Sequence, residues 1–128
     1  MGLVLFVVLA AVVALLVRGS AGSSEKAHPV SAGAAAGPED HARAACRNLL
    51  LFREAVVADA HKDRVLTYLD AAGREATAGL ASDPNLRSLD SAISSLSRGL
   101  SSDDASSTQL GMDIARSQCR DYGVAFPQ

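Results

Sequence analysis

Aromatic side chains are scarce in this sequence, which has no tryptophan, two tyrosines and three phenylalanines. A hydrophobic core must therefore be built from leucine, valine, isoleucine and alanine. About 90 residues follow residue 38. That length allows one small domain with a modest core, close to the size at which additional cross-links help.

An excess of basic charge is also missing. From residue 39 onward the chain has ten Lys and Arg against thirteen Asp and Glu, a net charge of about −3, with the two signs interspersed. A nucleic-acid-binding domain would carry a basic patch or stripe, and a membrane-surface helix would be basic along its polar face. We predict a solvated, charged surface and no nucleic-acid partner.

No arrangement of residues typical of catalysis or metal binding stands out. His41 lies five residues before Cys46, whereas two ligands on one helix face would be three or four residues apart. Asp59, His61 and Asp63 alternate, so a helix would point His61 away from both carboxylates, and a loop would make all three ordinary turn residues. The sequence has no nucleophile elbow and no glycine-rich phosphate loop. We predict no catalytic residue, no metal site and no cofactor, and we do not expect an enzyme.

The longest apolar run of the chain lies at its N-terminus. Residues 3–17 include no charged or polar side chain, and Arg18 ends the run. Its strongly apolar residues favour the bilayer by about 4–7 kcal/mol. A helix of this length spans about 22 Å, short of the ~30 Å hydrocarbon core, although neighbouring small residues can extend it. We predict that residues 1–17 form a single transmembrane anchor, with the rest of the chain outside the cytoplasm.

A cleaved signal peptide, followed by secretion, is the alternative interpretation of this run. Small residues at positions 19 and 21, or at 20 and 22, fit a cleavage site. A basic stretch before the run, usual in signal peptides, is missing, which favours the anchor. Arg18 and Lys26 follow the run, however, and the positive-inside rule taken alone would place the domain in the cytoplasm.

Glycine, serine, alanine and proline dominate residues 18–38, and apolar periodicity is absent there. Such a segment buries too little apolar surface to offset the ordering of its backbone. We predict a flexible linker over residues 18–38, with an exposed His28, followed by a domain at residues 39–123 and a tail at residues 124–128.

The first half of the domain carries two helical patterns. Pro38, with Glu39 and Asp40 beside it, marks a helix start. Apolar residues then recur at helical spacing in two series: Ala42, Ala45, Leu49, Phe52 and Val56, then Val65, Leu69, Ala72, Ala76 and Leu80. The second series is about half a turn out of phase with the first, which favours a chain reversal within residues 59–63. The alternative is a long hairpin in which residues 39–82 form one continuous helix.

The second half predicts two further helices. Asp83 as N-cap and Pro84 at the first helical position begin one of them. Its apolar seam consists of Leu86, Leu89, Ile93, Leu96 and Leu100. Ser101 with Asp104 resembles a capping box for the next helix, and Gly123 fits the left-handed position of a Schellman motif at its end. Four helices joined by short loops indicate an all-α, antiparallel four-helix bundle.

The two cysteines of the chain fall near opposite ends of the domain sequence. Cys46 lies early in the first helix and Cys119 late in the fourth, so an up-down-up-down bundle brings them to the same end. We predict a disulfide between them, because the apolar leader indicates export. Closing a loop of about 73 residues would contribute roughly 4.4 kcal/mol in the chain-entropy model. The alternative is two buried thiols, and the long hairpin would also bring the cysteines together.

Three segments resemble a known group of proteins: AACRNLL around Cys46, DPNLRSL from Asp83, and Cys119 followed by Gly123. With the apolar leader and the tether, they resemble small exported or membrane-anchored two-cysteine helical-bundle proteins of high-GC Gram-positive bacteria. The resemblance loosely covers residues 40–123 and implies no established activity. A second similarity, to small secreted haem-binding helical proteins, rests on TYLDA at residues 67–71 and would make Tyr68 a haem ligand. A tyrosine at the edge of a helix face is more often a packing residue.

Two functions remain as expectations. The first is an interaction or structural module of the cell envelope, tethered to the membrane and contacting another envelope protein. The second is a small-ligand carrier, with haem as one possible ligand, whose pocket lies inside the bundle. The carrier hypothesis depends on four small residues of the second helix. They either leave space for a ligand inside the bundle or let neighbouring helices approach closely: Ala71, Ala72, Ala76 and Gly79.

Overall fold

The structure is a computed structural model that describes residues 28–33 and 36–127. These residues form four α-helices and no strand: α1 Pro38–Val57, α2 Lys62–Leu80, α3 Arg87–Ser101 and α4 Ala105–Asp121. A short 3₁₀ helix, Pro84–Leu86, leads into α3. The predicted all-α bundle is confirmed. The predicted anchor, residues 1–17, lies outside the described residues.

The first helix begins at Pro38 as predicted and ends in a Schellman motif without glycine. The Ala60 amide donates to Ala55 O at 2.9 Å and the Asp59 amide to Val56 O at 3.1 Å, the two hydrogen bonds that define this motif. Asp59 occupies the left-handed position with φ 55°. The chain reverses here, as the phase of the apolar series predicted, and the continuous helix over residues 39–82 is wrong.

Aspartate caps begin the two later helical segments. The Asp83 carboxylate accepts from the Asn85 amide at 3.0 Å, in the N-cap role that was predicted. At α4 the N-cap is Asp104, which accepts from the amides of Ser106 and Ser107. The predicted capping box with Ser101 as the cap is therefore wrong, because Ser101 still belongs to α3 and its hydroxyl donates back to Ser97 O.

The cap at Asp104 also changes the ionisation of its own carboxyl. The Ser107 hydroxyl donates to Oδ2 at 2.9 Å. That hydrogen bond, with those from the backbone amides of Ser107 and Ser106, lowers the pKa of Asp104. A hydrogen bond to the charged form favours that form, so this cap stabilises α4 at neutral pH. Its contribution is lost as the pH falls through the lowered pKa.

Consecutive helices run antiparallel. A Cβ at Gly79, near the end of α2, would lie 3.2 Å from Pro38 O at the start of α1. A Cβ at Gly99, near the end of α3, would lie 2.9 Å from the Thr108 amide in the first turn of α4. The bundle therefore has two distinct ends. We call the end where α1 begins and α4 finishes the disulfide end, and the end with the turns at residues 58–61 and 102–104 the loop end.

The cysteines meet as predicted. Cys46 and Cys119 form a disulfide whose Cα atoms are 5.5 Å apart, and both residues are fully buried. The bond joins α1 to α4 across a sequence separation of 73 residues. These two helices pack against each other far less than α1 packs on α2 or α3 on α4. The disulfide therefore closes the least packed seam of the bundle.

Aliphatic side chains dominate the core, as the scarcity of aromatics predicted. The largest fully buried apolar side chains are Leu49, Leu86, Leu89 and Leu96. Phe52 and Tyr68 are buried beside them in the same cluster. The α3 seam is buried except for Leu100, which is only partly covered.

The residues beyond α4 pack against the bundle. Gly123, with φ 78°, ends α4 in the predicted Schellman motif, since the Val124 amide donates to Cys119 O at 3.0 Å. Val124 and Phe126 are both buried. Residues 124–127 thus pack as part of the folded domain, although they lie in the predicted tail of residues 124–128.

None of the helices in the described ranges is both long and apolar enough to cross a bilayer.

Removal of the disulfide should strongly destabilise the bundle. We expect the Cys46→Ala, Cys119→Ala double variant to lose roughly 4 kcal/mol of unfolding free energy and to melt many degrees lower. Alkylation of the wild-type chain without reductant should label neither cysteine. Two freely labelled thiols in protein isolated from cells would show that the disulfide does not form. An unchanged melting temperature in the variant would show that it does not stabilise the bundle.

Asp59 after α1 and Gly123 after α4 both have a left-handed backbone conformation, and substitutions at these two positions form a matched pair of tests. Asp59→Gly should raise the unfolding free energy by about 0.5–1 kcal/mol, because glycine meets no Cβ clash in this region. Gly123→Ala should lower it by about 1 kcal/mol through backbone strain alone, since no atom lies within 4 Å of the added methyl. Urea denaturation measures both. Destabilisation by Asp59→Gly would mean that the Asp59 side chain stabilises the turn more than its backbone strains it.

Candidate functional site

Asn48 is the one polar side chain that is fully buried within the described part of the chain. It lies on α1 and binds the backbone of Val30 in both directions. Asn48 Oδ1 accepts from the Val30 amide at 2.7 Å, and Asn48 Nδ2 donates to Val30 O at 2.8 Å. The carboxamide thus pairs with Val30 as a neighbouring strand would, and it satisfies its own buried polar atoms by doing so.

A second contact holds the same segment two residues later. Glu75 of α2 accepts the Ala32 amide at Oε1, 3.2 Å away. Its other oxygen, Oε2, lies 2.7 Å from Nδ1 of His41 on α1. A carboxylate only accepts hydrogen bonds, so Nδ1 is the donor. Both side chains of this pair are largely shielded from solvent, and Glu75 therefore connects α1, α2 and the segment before α1.

We call residues 28–33 the strap. Its hydrogen bonds to Asn48 and Glu75 fasten it across α1 and α2. These residues belong to the predicted flexible linker, and for them the structure differs from that prediction. The physical reason is that buried side-chain groups on the helices supply hydrogen-bond partners for the strap backbone, which the composition of the strap does not reveal.

The three histidines take separate places. His28 is exposed, His61 is the exposed N-cap of α2 and accepts from the Asp63 amide, and His41 is paired with Glu75. In residues 28–33 and 36–127, His41 has no hydrogen bond from its side chain to a serine or cysteine. No group of three or more His, Cys, Asp or Glu within these residues is arranged to hold a metal ion.

An open groove runs between α2 and α3. Its volume is about 770 Å³. The floor includes Leu69, Gly73 and Ile93, and the rim carries charged and hydroxyl side chains. Thr77 closes one part of the rim by donating to Asp90 at 3.2 Å, and Arg74 pairs with Asp70 at 2.9 Å.

The small residues of α2 bring helices together. Ala72 and Ala76 are fully buried in the core. A Cβ at Gly79 would meet the side chains of Leu86 at 2.5 Å and of His41 at 3.1 Å, so glycine permits this close approach. Tyr68, the candidate haem ligand, is also buried in the core cluster.

Electrostatic contacts gather at the disulfide end. Arg43 of α1 donates from Nε to Tyr122 O at 3.3 Å and pairs with Glu39 and Asp40. Partial burial, and then the nearby carboxylates of Asp83, Asp121 and Glu39, raise the pKa of the Tyr122 hydroxyl. This phenol therefore stays protonated at neutral pH.

Sequence reasoning missed Asn48 and Glu75. Asn48 lies three residues after Ala45 and four before Phe52, on the buried arc of α1. A polar amide inside an apolar stripe was the available indication, since such a group must find a partner when buried. Glu75 carried no comparable indication, because only the pairing of α1 with α2 brings His41 beside it.

Comparison of the chain with protein-family models, with curated proteins and with solved structures found no match in any of the three. The function therefore has to be inferred from the fold and the site.

Loss of the Asn48 carboxamide should release the strap. We expect Asn48→Ala to cost about 1–3 kcal/mol of unfolding free energy, because the polar groups of Val30 lose their partners and a small cavity forms. Hydrogen exchange at the Val30 amide should become much faster, and proteolysis within residues 28–37 should increase. Asn85→Ala, at an exposed asparagine, is the matched control and should change neither. An unaltered rate of hydrogen exchange at the Val30 amide in the Asn48 variant would show that Asn48 does not hold the strap in place.

Proposed function

We propose that the chain is a membrane-tethered helical module of the cell envelope, whose bundle lies outside the cytoplasm and acts by non-covalent contact with another envelope protein. The observation that carries the proposal is the Cys46–Cys119 disulfide. Disulfides form and persist in oxidising compartments and are rare in the cytosol. Residues 3–17 supply the means of export and, if retained, the anchor.

The buried polar groups favour a role in non-covalent contact, because they are already paired within the chain. Both carboxylate oxygens of Glu75 and both polar atoms of Asn48 already have partners within the chain. Both cysteine sulfurs are in the disulfide. These groups hold the bundle and the strap in place, and their commitment to structure supports a module over an enzyme.

The packing of α2 favours the module over the small-ligand carrier. A carrier would use space left by small side chains inside the bundle. Here Ala72 and Ala76 are fully buried and Gly79 lies against α1 and the 3₁₀ helix. The groove between α2 and α3 lies on the outer surface instead, where it is open to solvent.

The topology is tested with protease added to intact protoplasts. We expect cleavage within residues 18–27, with the N-terminal fragment remaining in the membrane and a cytoplasmic marker protein left intact. Recovery of a chain that begins near residues 21–24 in the culture fluid would show a cleaved signal peptide. Complete protection until the protoplasts are lysed would place the bundle in the cytoplasm, as Arg18 and Lys26 would by the positive-inside rule.

The contact role is tested in the same cells with a photo-reactive amino acid at Ser94 on α3 or at Ser117 on α4. Both side chains are exposed, so the fold should tolerate the replacement. A discrete adduct with one membrane or envelope protein from either position is the expected result. Recovery of the chain without any adduct from both positions would count against an interaction module.

A further inference from the structure

The strap has a direction along the bundle. Val30 pairs with Asn48, whereas α1 itself begins at Pro38 at the disulfide end. Asn48 lies ten residues into α1, about 15 Å along the helix axis at 1.5 Å per residue. Read towards the N-terminus, the chain therefore turns back from Pro38 and follows α1 towards the loop end.

The exposed apolar side chains are concentrated at that same end. Among the described residues, the large hydrophobic side chains that remain exposed are Val56 at 49%, Val57 at 73%, Leu66 at 38% and Leu110 at 58%. Val56 and Val57 close α1, and the other two lie in the second turns of α2 and α4. Single exposed apolar residues are ordinary on protein surfaces, but here they are confined to one end of the bundle.

The opposite end is covered. Val124 and Phe126 fold back and are buried there, and Leu86, the last residue of the 3₁₀ helix, is fully buried. The Arg43 ion pairs are also at this end. The two ends of the bundle thus differ in apolar exposure.

We propose that the loop end rests on the lipid bilayer, with Val56, Val57, Leu66 and Leu110 at the level of the headgroups and the upper acyl chains. This inference rests on the proposed membrane tether. It adds an orientation: the bundle lies with its loop end towards the membrane and its disulfide end away from it.

The length of chain between anchor and strap supports this orientation. Ten residues, 18–27, separate the apolar run from the strap. A segment of this length reaches at most about 33–36 Å when it is fully extended. The loop end lies about 14 Å beyond Asn48 along α1, so the segment reaches the bilayer there without being stretched.

Charge at the loop end indicates which lipids matter. Lys62 and Arg64 are exposed there, and so are Asp59, Asp63, Asp103 and Asp104. The carboxylates outnumber the cations, so attraction to anionic lipid cannot hold this end at the bilayer, and the contact depends on apolar burial, as for other interfacial segments. Binding of this end should therefore not require anionic lipid.

The test uses the absence of tryptophan from the chain, because one introduced tryptophan reports one site. The full chain carrying Val57→Trp is reconstituted into phosphatidylcholine vesicles, with or without lipid brominated near the carbonyl end of its acyl chains. We expect blue-shifted emission that brominated lipid largely quenches. Ala81→Trp, at an exposed residue of the disulfide end, is the matched control and should emit as in water and remain unquenched.

Flotation of the vesicles separates the two proposals. A chain that does not float with the vesicles would overturn the membrane tether itself. A chain that floats, but whose tryptophan at position 57 is quenched no more than the one at position 81, would overturn only the orientation. Blue-shifted emission without bromine quenching would mean that protein, such as a second copy of this chain, covers the loop end, and that would also overturn the proposal.

A further variant tests the contribution of the strap. Adding Asn48→Ala to the Val57→Trp chain should leave flotation unchanged but weaken the quenching, because the released strap no longer directs the loop end to the bilayer. Circular dichroism confirms that this chain remains helical; if it unfolds, Val30→Pro replaces it, which removes the amide donor to Asn48 and leaves the helices unchanged in sequence. Quenching that persists at full strength with the strap released would overturn its orienting role.

Discussion

The disulfide between Cys46 and Cys119 is the constraint on which this small bundle depends. The four helices form two hairpins, α1 with α2 and α3 with α4, and the contact between α1 and α4 is slight by comparison. A core of leucine and alanine with few aromatics buries limited apolar surface per residue. Closing a loop across that seam adds stabilisation of about 4 kcal/mol, comparable with the whole stability of many small domains. The covalent bond therefore holds together two hairpins that pack more weakly on each other than within themselves.

A second constraint, weaker and non-covalent, positions the chain before the bundle. The buried carboxamide of Asn48 and the carboxylate of Glu75 bind the strap backbone at Val30 and Ala32. Release of Val30 would break both hydrogen bonds of the Asn48 carboxamide. The helices therefore favour a bound strap, and the tether proposed to be free shortens from residues 18–38 to the part before residue 28.

The two ends of the domain differ, which gives the bundle a direction. The Arg43 contacts and the buried Val124 and Phe126 consolidate one end. The strap leads away from that end, and the opposite end keeps its apolar side chains exposed. A bundle with such polarity leaves its outer faces, including the groove between α2 and α3, open to solvent.

The sequence by itself determined the elements that depend on local chemistry. Apolar periodicity identified four helices, and Pro38, Asp83 and Gly123 marked boundaries because each acts on its own stretch of backbone. The phase change between the first two series predicted the reversal, although Asp59 stands where glycine is usual. The cysteine pairing also followed, since helix order alone sets which ends meet. The cap at Asp104 is also local, although the prediction assigned that role to Ser101. Tertiary structure decided the burial of Phe126 and the strap. These depend on which side chains the packed helices bring together, such as Glu75 beside His41 and Ala32, and no local spacing encodes that proximity.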